Sequence, residues 1–152
     1  MATIYSDGFT KVRAGRELQA NEARGKARLL QWDFASLPVG AIGDVLVCGI
    51  LPARARIIQG REFHSAMGGT ATGAYSTFGI ASDGLTLGAI ITAGKYLAAI
   101  TFVAAGQNEI ASTLAQNALV EESTDVLLCC VNASTAFATA GRVAGYVLYV
   151  QD

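Results

Sequence analysis

One histidine, His64, and one tryptophan, Trp32, occur in 152 residues. Zinc and non-haem iron sites normally take several histidines or a cluster of cysteines, so neither a metal nor a cofactor is expected. Alone beside a turn, His64 reads as a surface or packing residue rather than a ligand or base. Cys48, Cys129 and Cys130 do not repair the deficit. Neighbours in a strand point to opposite faces, so Cys129 and Cys130 cannot share one metal. They read as free, largely buried thiols of a reducing compartment. No Gly-x-Ser-x-Gly elbow and no phosphate-cradling Gly-x-x-x-x-Gly-Lys-Ser/Thr loop is present. Glu121 and Glu122 are adjacent in a strand-like run and point apart, which makes them a poor acid/base pair. No enzyme is expected, and no small-molecule substrate.

Charge is also scarce. Charged residues make up 15% and apolar residues 52%, so part of the surface is expected to rest against something else. The net charge is −1, but residues 1–61 hold nine of the eleven Lys/Arg and five of the twelve Asp/Glu. A solvated basic arm accounts for this; so does a basic portion facing an acidic partner. There is no dense Lys/Arg run with interleaved aromatics, so no nucleic acid is implied. No signal peptide is visible in Met1–Gly25. Leu85–Gly106 is apolar, but Lys95 sits in its middle and glycines interrupt it. It reads as buried protein, and no membrane partner follows.

Two prolines against seventeen glycines suit a chain of short strands and tight turns. The stretch around which the rest is organised is Gly43–His64. Its runs Asp44–Cys48 and Ala55–Phe63 read as strands, with Pro52 at the corner between them. In the second run Ala55, Ile57, Gln59, Arg61 and Phe63 share one face, with Arg56, Ile58, Gly60 and Glu62 on the other; neither face is purely apolar, so this strand is expected either to sit against a neighbouring subunit or to carry a bulge at Gly60. Leu30, Trp32 and Phe34 alternate with polar positions within Lys26–Ser36, as in a half-buried strand. Ala74–Ala81, Leu85–Thr92, Asn117–Ser123, Asp125–Val131 and Arg142–Gln151 complete the strands. Lys95–Thr101 is the one helical candidate, and Gly106–Asn108 reads as its break. The last strands are expected to pair with the central ones and close the core. The fold class is therefore all-β: an antiparallel β-sandwich or jelly roll, with an extended N-terminal arm and one short helix.

Two parts follow. Residues 1–25 form an arm and residues 26–152 the β-sandwich domain. The arm is polar, with anchors at Ile4, Tyr5, Phe9 and Val12 and charges at Arg13, Arg16 and Arg24. It is either a tail or an extended segment that orders on a neighbour through these residues.

Gly43–Pro52 followed by a β run, the strand around Tyr75–Ile80, Ser123–Leu128, the small-residue loop and the closing Gly141–Val150 together resemble the capsid cement, or decoration, proteins of tailed bacteriophages. The resemblance covers about residues 26–150. It implies a jelly-roll sandwich on the outer surface of the capsid of a virion, made in the host cytoplasm. Its partners would be the major capsid protein, whose subunits it bridges, and further copies of itself as a homo-oligomer. Another phage structural part, such as a head-fibre base or tail protein, is the alternative. A carbohydrate-binding module is weaker, because Trp32 reads as buried in a strand.

Overall fold

A computed structural model describes residues 3–5, 27–37, 40–84, 86–110 and 123–151. All regular structure among them is strand: β1 (Thr3–Tyr5), β2 (Arg28–Leu37), β3 (Val45–Leu51), β4 (Ala55–His64), β5 (Thr72–Ile80), β6 (Leu87–Thr101), β7 (Gly106–Ile110), β8 (Val126–Asn132) and β9 (Gly141–Gln151). They form two sheets, one ordered β1-β3-β8-β5-β6 and the other β2-β9-β4-β7. Every pairing is antiparallel except that of β1 with β3, which is parallel. Central and final strands do pair, β3 with β8 and β4 with β9. Pro52 lies just past β3, in a corner closed by a bond from the Ala55 amide to the Pro52 carbonyl. Arg54 takes the left-handed conformation there, with φ at 65°.

The core fills the space between the sheets. Trp32 of β2 and Tyr75 of β5 meet across it with ring centroids 5.6 Å apart. Phe102 stands edge-on to Phe137, at 5.4 Å. Each such ring or aliphatic chain, fully buried, contributes roughly 1.5–3 kcal/mol. β3 and β8 are buried nearly throughout, because their alternate side chains enter two different clusters. Leu46, Cys48, Leu128 and Cys130 face the sandwich interior. Val45, Val47, Leu127 and Cys129 join Phe78 in a second cluster. A strand covered on both faces reads as one apolar run, which is how VLVCGIL and VLLCCVN look.

Three expectations are corrected. The helix at Lys95–Thr101 is the second half of β6, a single strand of 15 residues. Tyr75 pairs with Leu97, and Gly73 with Ile100, so pairing with β5 overrides the local helical preference. Leu85–Gly106 is not wholly buried, since Ile90 and Ile91 on this edge strand are 51% and 53% exposed. Gly106–Asn108 begins a strand, β7, held against β4. The strand expected at Asn117–Ser123 and the pair Glu121, Glu122 fall, Ser123 apart, outside the described residues. None of the described helices could cross a membrane, because no helix is present among those residues.

Candidate functional site

Strand β4 sets the chemistry of both faces of the four-stranded sheet. Its ladder with β9 shifts between Ile57 and Gln59, so Ile58 is an extra residue. Before this bulge Ala55 and Ile57 face the core; beyond it Gly60, Glu62 and His64 do. A slip of one residue exchanges the faces of everything that follows. The expected bulge lies two residues earlier than Gly60, and the expected face of Gln59, Arg61 and Phe63 is therefore the outward one.

On the inner side, Glu62 and His64 form a buried pair. Their side chains are 0% and 3% exposed, with Oε1 of Glu62 2.6 Å from Nδ1 of His64. The Asn108 amide of β7 donates to the other Glu62 oxygen at 2.8 Å. Nε2 of His64 lies 3.0 Å from the Ala104 carbonyl. A carbonyl only accepts, so Nε2 carries a hydrogen; the Nδ1–Oε1 contact then needs a second proton, on either partner. His64 also stands edge-on to Phe102, with centroids 5.1 Å apart. Of the two roles the sequence allowed, packing is the one observed. Both side chains are shut off from solvent.

On the outer side, Phe63 and Ile58 are 41% and 51% exposed. Phe63 lies opposite Ala144 in the register. The small Ala144 side chain leaves a shallow depression between Phe63 and Tyr146, bordered by Gln31 and Asp33 of β2. Gly145 beneath it has no room for a side chain, since a Cβ would come 2.4 Å from the Trp32 ring and 2.6 Å from the Arg61 carbonyl. Two ion pairs frame the depression. Arg142 donates to both oxygens of Asp33, at 2.9 and 2.7 Å, and this holds the Asp33 carboxyl below the usual carboxylate range. Arg61 lies 3.9 Å from Glu109, opposite it in the ladder.

Of the residues expected to bind a partner, Ile4 and Tyr5 lie in β1, paired with Leu46 and Val47, and Ile4 packs on the main core. Phe9, Val12, Arg13, Arg16 and Arg24 lie outside the described residues. Cys48, Cys129 and Cys130 are free and buried; burial raises all three thiols far above their ordinary range. No group of three potential metal ligands occurs among the described residues. Asn132, which opens a glycosylation sequon, is buried, and its amide donates to the Ala41 carbonyl. Sequence reasoning missed the outward set of Ile58, Phe63 and Tyr146, because the bulge that presents it depends on a partner strand far along the chain.

No protein-family model and no curated protein matches the chain. Two solved structures are similar in fold. A chain of the capsid of Ralstonia phage GP4 aligns with a TM-score of 0.77 at 20% identity, over 99% of this chain and 99% of that one. A chain of the Cyanophage Pam1 capsid asymmetric unit aligns with a TM-score of 0.52, also at 20% identity, over 91% and 96%.

Proposed function

We propose that the chain is a non-enzymatic virion structural protein that binds the outer face of a phage capsid and stabilises it by bridging major capsid subunits. The observation that carries this reading is the likeness, end to end in both chains, to a component of the Ralstonia phage GP4 capsid. The absence of a catalytic reading in the sequence and the fold likeness along the aligned length support the same reading. The strand order supports a jelly-roll assignment in particular. β2 to β9 divide into β2-β9-β4-β7 and β3-β8-β5-β6, with the chain crossing repeatedly between sheets, and eight strands arranged as two such sheets are an architecture used by capsid proteins. Homo-oligomerisation, synthesis in the host cytoplasm and contacts made by residues 1–25 belong to the same proposal. Ile4 already packs on its own core, so the arm's outward contacts rest on the other anchors.

A protein that binds only the assembled shell stabilises it by mass action. Particles of the source phage made without this chain are expected to assemble and then release DNA at a lower temperature. Added full-length protein should restore the release temperature. Equal release temperatures with and without bound protein would remove the stabilising role.

A further inference from the structure

The bulge in β4 leads to two departures from ordinary burial. It turns a carboxylate and an imidazole, Glu62 and His64, into the core, and it leaves Ile58 and Phe63 in solvent. Departures of this kind gather where a surface has work to do. Leu29 of β2, 54% exposed, extends the same face, with the partly exposed Tyr146 and Leu148 of β9 between it and β4. The result is an apolar outer face on a sandwich sheet, a kind of patch that marks an interaction site. Its charges are lopsided. Asp33 is held by Arg142 and Glu109 by Arg61, while the Arg56 side chain has no hydrogen bond or ion pair among the described residues.

We infer that the outer face of the β2-β9-β4-β7 sheet is the docking surface for another protein. That partner inserts an apolar side chain into the depression between Phe63 and Tyr146 and sets a carboxylate against Arg56. Resting on the function proposed above, the partner is a capsid subunit with an acidic rim. A second copy of this chain is the poorer occupant. Among the described residues the same face repeated offers Arg56 no free carboxylate, since its outward acids, Asp33 and Glu109, are each held by an arginine. Charge complementarity of this sort fixes partner and orientation, and a buried aromatic anchor supplies most of the affinity.

The test uses full-length protein and particles of the source phage made without it, with binding read by co-sedimentation. The variants are Phe63→Glu, Ile58→Glu and Arg56→Glu, with Ile90→Glu on the β6 edge as the comparison. Ile58 protrudes at the bulge, so Ile58→Glu carries the test if Phe63→Glu fails to fold. Phe63→Glu and Ile58→Glu are expected to weaken binding by at least about tenfold. Arg56→Glu should weaken it more at low salt than at high, and Ile90→Glu should bind as the unaltered chain does. Unaltered binding by both Phe63→Glu and Ile58→Glu overturns the surface. Failure of the unaltered chain to bind overturns the function itself. A smaller oligomer for Phe63→Glu in sedimentation velocity, with shell binding intact, assigns the face to a second copy and overturns the partner.

Discussion

Oε1 of Glu62 lies 2.6 Å from Nδ1 of His64, two residues along the same strand, with both side chains sealed inside the sandwich. Removing one member leaves the other's polar groups buried with fewer partners, and breaking a buried pair costs about 3–5 kcal/mol. His64→Ala and Glu62→Ala are each expected to lower stability by that amount in urea unfolding. Replacing both together with apolar groups, as Glu62→Leu/His64→Phe, removes the pair's own buried polar atoms and leaves only the half-buried Asn108 amide and the exposed Ala104 carbonyl to turn to water. The double variant should therefore be more stable than either single alanine variant. A double variant worse than both would show that the two groups do not act as a pair.

The bulge itself gives a second test. Ile57 pairs with Tyr149 and Gln59 with Leu148, so Ile58 is the one residue of β4 without a place in that ladder. Deleting it should join Ile57 to Gln59 in regular register and leave Glu62 and His64 facing inward. The shortened chain is expected to fold, with stability changed by no more than about 1 kcal/mol, the scale of a local strand adjustment. Deleting Gly60 instead, which moves Gln59 into a buried place where a Cβ meets Val147 and the Tyr146 carbonyl, should cost more. An unfolded Ile58 deletion by circular dichroism would refute this register.

Much of this architecture was legible because burial on both faces leaves a plain record. β3 and β8 are almost wholly apolar, and Trp32 and Phe34 alternate with polar neighbours in β2. β7 left no such record: of Gly106–Ile110 only Ile110 is buried, and the strand exists because β4 offers it a partner. β6 misleads for a related reason. Its ladder with β5 shifts repeatedly, with five positions from Leu97 to Thr92 set against two from Tyr75 to Thr77. No period of two survives such slips. The bulge at Ile58 was invisible for the same physical reason, since it is a relation between β4 and β9 and not a property of either segment. The candidate docking face depends on that bulge, so the sequence read Phe63 as facing with Ala55 and Ile57.

Gly145 tests the closeness of the layers. It lies opposite both Trp32 and Glu62 in the ladders, and an added Cβ would meet the indole ring on one side and the Arg61 backbone on the other. The backbone contact cannot be relieved by a rotamer change. Gly145→Ala is expected to cost at least the roughly 1–3 kcal/mol of an overpacked core and to alter Trp32 fluorescence in the native state. Gly84→Ala makes the useful contrast. Its φ of 73° strains any side chain, but nothing lies within 4 Å, so its cost should stay near 1 kcal/mol with Trp32 fluorescence unchanged.

The three thiols make stability depend on pH in a definite direction. Burial raises Cys48, Cys129 and Cys130 well above their ordinary range, so the folded chain keeps these protons when the unfolded chain gives them up. An unfolded thiol loses its proton near about pH 8.5. Above that pH the unfolded state binds fewer protons than the native one, and stability falls as pH rises, by up to about 1.4 kcal/mol per pH unit for each thiol. Tyr75, raised for the same reason, adds to the fall above about pH 10. Below the unfolded thiol range this contribution is fully present and flat. Urea midpoints at pH 7, 8.5 and 9.5 should therefore fall a little across the first interval and most across the last. The triple variant Cys48→Ala/Cys129→Ala/Cys130→Ala should start lower at pH 7, because it leaves small cavities, yet decline less across that interval. A thiol reagent at pH 8 should label none of the three in the native protein and all three in denaturant. A native thiol that reacts as fast as free cysteine would show it to be accessible, and the alkaline slope assigned to burial would then have to come from other groups.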